Sequence, residues 1–295
     1  PAMRLGQALA PLLPAALREK VPARRPAGTW PAREHARKVL ILNGCTQPAM
    51  MPNIDAATAR VLDRLGVQTL VEPRSGCCGA IRHHLNDEAG ALSQMRANID
   101  AWWPRVEAGV EAIIVNASGC GAMVKDYAHL LRHDADYAAK AARIVELTRD
   151  PIEWLPALLA SSIDAIRARV AAAGGARLVF HPPCTLQHGQ RIRGEVEQLL
   201  AALGATVLPV ADAHLCCGSA GTYSVLQPAL SKALRERKLG NLQLGGPQLI
   251  LSANIGCLAH LQAGTETPVR HWIEWLDEAM AAAEFEASAS AHGSE

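Results

Sequence analysis

Eight cysteines fall into two sets of four: Cys45, Cys77, Cys78 and Cys120, then Cys184, Cys216, Cys217 and Cys257. Positions 45 and 184 are 139 apart, as are 77 and 216, while 120 and 257 are 137 apart, so one unit has been duplicated with a two-residue slip. No cysteine lies outside the pattern. Four soft sulfur donors repeated in register point to a thiophilic ligand in each half.

The local words carry the same chemistry. Cys77-Cys78-Gly79 and Cys216-Cys217-Gly218 each place two sulfurs on a sharp turn, where glycine lets backbone N–H groups approach a bulky anionic ligand. One such tripeptide reads equally well as two buried small hydrophobes; two in register favour a thiolate site. The last cysteine of each half lacks the second thiol of a Cys-x-x-Cys pair, as Cys120-Gly121-Ala122-Met123 and Cys257-Leu258-Ala259-His260 show. Each half therefore offers at most four thiolates. Met123 is a weak thioether donor or a core methionine. His260 is the better added ligand, because imidazole suits iron and zinc, and it also reads as a solvent-facing or capping residue. In His181-Pro182-Pro183-Cys184 the prolines hold the chain extended, and His181 is a hydrogen-bond donor to a ligand sulfur or a structural histidine. His83-His84, His188 and His214 also stand near cysteines and have the same two readings. Trp102-Trp103 with Arg105 reads either as a partner-binding face or as core packing of one tryptophan.

These side chains need a scaffold that brings distant loops together. Val39–Leu42 reads as a buried strand leading to Cys45, followed by a helix near 54–65 and a strand at 67–71 before Cys77. A helix near 88–108 and a strand at 112–116 then lead to Cys120, which opens another helix. The second half repeats the order: strand 177–180, Cys184, helix near 194–203, strand 206–210, Cys216-Cys217, helix near 228–242, strand 248–252 and Cys257. Even Ile152-Glu153-Trp154-Leu155 is echoed by Ile273-Glu274-Trp275-Leu276. The pattern predicts an α/β protein of two duplicated Rossmann-like units with mostly parallel sheets, related by a pseudo-two-fold axis. In such sheets ligands gather beyond the carboxyl ends of the strands, where the cysteines stand. Helix amino ends nearby favour thiolate over thiol.

The expected organisation is a Pro- and Arg-rich arm or linker over 1–37, a first cysteine-rich domain over 38–160, a second over 161–285 and a disordered tail over 286–295. Length permits two domains, each with its own core. Charge is nearly balanced, with 29 basic and 28 acidic side chains, so no basic field for nucleic acid exists. No run approaches the roughly 20 apolar residues that span a bilayer, and the amino end lacks the order of a secretory signal. Adjacent cysteines rarely staple a fold, which favours metal-bound thiolates in a reducing cytoplasm over disulfides. No dinucleotide fingerprint, phosphate loop or nucleophile elbow is present. From the residues alone, three readings stay open: an iron–sulfur electron carrier, a structural zinc module, and a thiol–disulfide enzyme using the adjacent pairs.

The repeated Cys-x31-Cys-Cys-Gly with a later Gly-Cys resembles the cysteine-rich "CCG" domain of heterodisulfide reductase subunits, anaerobic glycerol-3-phosphate dehydrogenase, lactate-utilisation proteins and glycolate oxidase. Asn43-Gly44-Cys45, Ala117–Gly121, His181–His188, Cys216–Tyr223 and Asn254–Cys257 are most similar to the iron–sulfur subunit family of bacterial glycolate oxidase. The resemblance implies iron–sulfur centres of [4Fe-4S] type on the eight cysteines, with zinc as the alternative. It further implies FAD on a partner subunit that oxidises glycolate, lactate or glycerol-3-phosphate, and electron delivery to a quinone or other acceptor. It implies no substrate-oxidising site in this chain. The location it implies is cytoplasmic, peripheral at the inner face of the cell membrane through the complex. Full-length members of that family carry an earlier ferredoxin-like domain whose motifs do not occur here, so the resemblance implies a truncated subunit.

Overall fold

The computed structural model describes residues 7–12 and 25–291. Two four-stranded sheets form from short apolar runs, which are buried on both faces in the central strands. The first contains β1 (Arg37–Ile41), β2 (Val67–Val71), β3 (Ala112–Ile114) and β4 (Thr148–Arg149), in the order β2-β1-β3-β4. The second contains β5 (Arg177–His181), β6 (Thr206–Leu208), β7 (Leu249–Ser252) and β8 (Val269–His271), in the matching order β6-β5-β7-β8. Every pairing is parallel, with Leu40 opposite Leu70 and Ile113, and His181 opposite Ser252. The duplicated α/β architecture read from the sequence is therefore present.

Parallel strands need crossovers, and the helices supply them. The longer helices are α1 (Pro52–Arg64), α2 (Glu88–Glu107), α3 (Ser118–Lys125), α4 (Ala138–Leu147), α5 (Pro151–Leu159), α6 (Ile163–Ala172), α7 (Glu195–Ala202), α8 (Pro228–Gln243), α9 (Ile255–Gln262) and α10 (Trp272–Ala291), of which α5 and α6 join the two sheets and α10 follows the last strand. Helix α1 begins earlier than its apolar pattern suggests because Pro52 occupies its first position, where a missing N–H costs nothing. Strand β6 stops at Leu208 because Pro209 cannot donate to a ladder. The edge strands β4 and β8 were not anticipated; two or three residues are too few to show a period.

The two halves are not independently packed. Helix α10, which closes the second half, lies against α1 of the first, while α5, which closes the first, lies against α7 of the second. One apolar core consequently runs through both halves, with Val39, Ile54, Val61 and Ile114 joining Leu178, Leu200, Ile250 and Trp272. A second core, built on Leu40, Leu42, Met95, Trp102, Ile113 and Tyr127, covers the other face of the first sheet alone. Arg60 and Arg64 of α1 both reach Asp277 of α10 at 2.6 Å, which fastens the exchanged helix.

The arm expected over 1–37 falls partly outside the described residues. Residues 25–36 run along the first half, where Arg25 N–H donates to the Met50 carbonyl at 2.9 Å and His35 Nε2 meets Asp63 at 2.8 Å. The tail expected over 286–295 begins as helix, since α10 extends to Ala291, and 292–295 lie outside the described residues. Among the described residues no helix is long and apolar enough to cross a membrane.

Candidate metal centres

All four cysteines of each half stand beyond the carboxyl ends of the first three strands of their sheet. In the first half Cys45 follows β1, Cys77 and Cys78 follow β2, and Cys120 occupies the first turn of α3 after β3. Cys184 follows β5, the Cys216-Cys217 pair follows β6, and Cys257 occupies the first turn of α9 after β7. The topology thus converts a spread of some seventy residues into one cluster of loops.

The sulfurs meet as two chains of hydrogen-bonded thiols. Cys45 contacts Cys77, Cys77 contacts Cys78, and Cys78 contacts Cys120. The other chain runs from Cys184 through Cys216 and Cys217 to Cys257. None of the eight is in a disulfide. Cys78, Cys217 and Cys257 are buried, whereas Cys45 is exposed. Crowding splits the acidities. The hydrogen bond to Cys216 pushes the Cys184 thiol well up, while Cys216, accepting from Cys184 and Cys217, is held well down. In the same way Cys217 is pushed up by its bonds to Cys216 and Cys257, and Cys257 is held down by Cys217. Four converging thiols cannot all ionise without a cation among them, so the donor set suits a thiophilic metal group.

Backbone and side chains around the sulfurs are built for negative charge. Gly79 and Gly218 both sit at φ +92°, a conformation that L side chains rarely adopt. The turn at Gly218 aims its N–H at Cys216 Sγ, 3.2 Å away. Its carbonyl accepts from Ser231 Oγ at 2.8 Å. In the first half Asn98 Nδ2 donates to the Cys77 carbonyl and Tyr127 Oη to the Cys78 carbonyl, each at 2.9 Å. Lys238, buried beside the second set, donates to the carbonyls of Asp212 and Ala213.

His181 is the histidine that the second set recruits. Its ring is fully buried, neither ring nitrogen has an oxygen or nitrogen partner, and the ring bonds to the sulfur of Cys257, with a ring nitrogen within 4.8 Å of Cys217 Sγ and Cys257 Sγ. His260 is placed differently: Nε2 contacts Ser231 Oγ at 3.2 Å and the Ser231 carbonyl at 3.3 Å. Burial holds its pKa below the ordinary value. His188 Nε2 donates to the His214 carbonyl, and His83 and His84 pack on each other in a short helix. Met123 and Trp102 belong to the core of the first half, and Trp103 donates to Glu107 at 2.8 Å.

Residues that entered the sequence reading only as parts of family motifs, with no role of their own, join the two sites. Ser118 N–H donates to the Ala253 carbonyl at 3.0 Å, and Ser118 Oγ meets Thr185 Oγ1 at 2.8 Å. Asn254 lies between the last cysteines: Oδ1 accepts from Gly119 N–H at 3.3 Å, while Nδ2 donates to Cys257 Sγ at 3.6 Å. A lone asparagine or serine in a loop carries no signal of a partner over a hundred positions away.

The cysteine-rich domain family called CCG matches residues 39–125 and 178–262. The "Glycolate oxidase iron-sulfur subunit" of Escherichia coli K12 is 48% identical over 278 residues, which cover 94% of this chain and 67% of that protein. A "Probable glycolate oxidase iron-sulfur subunit" of Bacillus subtilis is 29% identical, over 78% of this chain and 50% of its own length. "Lactate utilization protein A" of Geobacillus thermodenitrificans is 26% identical, over 81% of this chain and 98% of its own. With both cysteine sets inside the matched spans, the chain belongs to the CCG cysteine-rich domain family, carries the domain twice, and within it falls in the family of the Escherichia coli subunit.

Proposed function

We propose that this chain is the iron–sulfur electron-transfer subunit of a 2-hydroxy-acid oxidase, and that glycolate is oxidised to glyoxylate on a flavin-containing partner subunit. The convergence of two separate four-sulfur sets at the ends of twin sheets carries this reading. Cys45, Cys77, Cys78 and Cys120 would hold one centre, and Cys184, Cys216, Cys217 and Cys257 the other, both of [4Fe-4S] type. When bound, such centres supply one-electron carriage. The names of the relatives, two glycolate oxidase subunits and a lactate-utilisation protein, support membership of an oxidoreductase complex.

The chain's own residues hold and tune. Gly218 N–H and the Asn254 amide donate to cysteine sulfurs, which spreads negative charge and favours the reduced state. Burial of Cys78, Cys217 and Cys257 keeps water from the inner sulfurs, while Cys45 faces the surface where a partner can approach. The subunit takes no part in breaking substrate bonds. It works in the cytoplasm, peripheral to the inner face of the membrane through its complex, and a quinone or another carrier accepts the electrons. Anaerobic co-purification with the flavin subunits tests this. Iron and acid-labile sulfide should travel with this chain; zinc without sulfide, or an iron-free chain in a fully active complex, would overturn it.

A further inference from the structure

The two sulfur sets match, but their surroundings do not. His181 ends β5 at the position that Leu42 holds after β1, since both lie three residues before the first cysteine of their half. Leu42 is an ordinary member of the apolar core. A leucine therefore meets the packing needs of this strand end, and an imidazole there must be explained by chemistry. The His181 backbone is pinned, because its carbonyl accepts from Ser252 Oγ at 2.9 Å. Its ring is fully buried with no oxygen or nitrogen partner for either nitrogen, and the polar groups that face it are sulfurs, Cys257 among them being held down by its bond to the ring. Cys217 Sγ, Cys257 Sγ and a ring nitrogen all lie within 4.8 Å of one another, so the imidazole stands among the thiols assigned to the second centre.

We infer that His181 is a direct metal ligand of the second centre, taking the place of one of the four cysteines assigned to it above. The two halves then hold inequivalent groups: sulfur-only in the first, mixed sulfur and imidazole in the second. The inference rests on the iron–sulfur reading above. Imidazole is neutral where thiolate is negative, so the second centre carries less negative charge, and the buried Lys238 ammonium acts in the same sense. The second centre is the easier of the two to reduce.

The test uses the whole chain, purified anaerobically, with Cys78→Ser added to empty the first set. X-ray absorption at the edge of the bound metal and pulsed electron paramagnetic resonance of the reduced protein are recorded with natural and 15N-histidine label. The expected result is one imidazole per second centre and a nitrogen coupling that shifts with the label. His181→Leu, which installs the residue of the first half, should keep the fold and lose that coupling. His181→Cys should restore metal content with a lower reduction midpoint. A loaded second centre with sulfur ligation alone, or a coupling that survives His181→Leu, overturns the inference and leaves the functional proposal standing. A wild-type chain that binds no metal in either half overturns both.

Discussion

His271 Nε2 donates to the Asn116 carbonyl, 2.8 Å away on the other half of the molecule, while His271 Nδ1 accepts from the N–H of Ile273 at 3.1 Å. The ring is thereby fixed as the neutral Nε2–H tautomer at the amino end of α10. It occupies the place that Asp150 holds at the start of α5, where Asp150 Oδ1 accepts from Ile152 N–H and Glu153 completes a capping box. Glu274 does the same for His271, accepting from its N–H at 2.9 Å. The duplicated cap has become a clamp between halves.

Burial lowers the His271 pKa from an ordinary value near 6.5 to about 4. The unfolded chain therefore takes up a proton that the folded chain refuses, and this contribution to stability is lost as pH falls from 6.5 through 4. A shift of this size corresponds to about 3 kcal/mol. The unfolding free energy of the wild type relative to His271→Gln, from denaturant titrations, should fall by that amount between pH 7 and pH 4; the comparison cancels buried Asp55 and Asp150, whose pKa values, raised to about 6 and about 7, act in the opposite sense.

Removing one inner sulfur should empty one site only. Cys217→Ser is expected to abolish metal in the second half and Cys78→Ser in the first, each leaving about half of the bound iron and sulfide, because the sets share no ligand. Metal and sulfide analysis of the two single variants checks this. Loss of all metal from either variant would show that the centres form interdependently.

Loading should depend on pH in a defined direction. Cys184 and Cys217 hold their protons well above the ordinary thiol range because they donate to Cys216 and Cys257, so ligation must expel those protons. Reconstitution of the apoprotein is expected to release protons and to weaken as pH falls. Titration calorimetry in buffers of different ionisation enthalpy measures the number released.

Gly218 should tolerate no side chain. At φ +92° an alanine is strained by about 1–2 kcal/mol, and its Cβ would overlap the Ser231 carbonyl. Gly44, at φ +69° with nothing within 4 Å, offers the matched control. Gly218→Ala should destabilise by more than Gly44→Ala and should lower metal content of the second half. Thermal unfolding with metal analysis of both variants decides it.

Much of the fold is written locally. Apolar runs of four or five residues, glycine stops and the register of the cysteines are near-neighbour properties, and duplication lets each half check the other. Leu178–His181 could thus be read against Val39–Leu42, and Cys216-Cys217-Gly218 against Cys77-Cys78-Gly79. The strands β4 and β8 escaped because two or three residues show no period. The exchange of α5 and α10 escaped because packing partners across the molecule leave no mark on spacing.

The histidines show the division most clearly. His260 follows Cys257 by three residues, which suggests a shared ligand, yet the turn of α9 carries its ring to Ser231. His181 precedes its nearest cysteine, Cys184, by three residues, yet its ring lies by Cys217 and Cys257, because β5 pairs with β7 and sets His181 opposite Ser252. Composition and spacing determined which elements could bind a metal; only the lateral order of the strands decided which side chains surround it, since parallel pairing joins residues far apart in the chain.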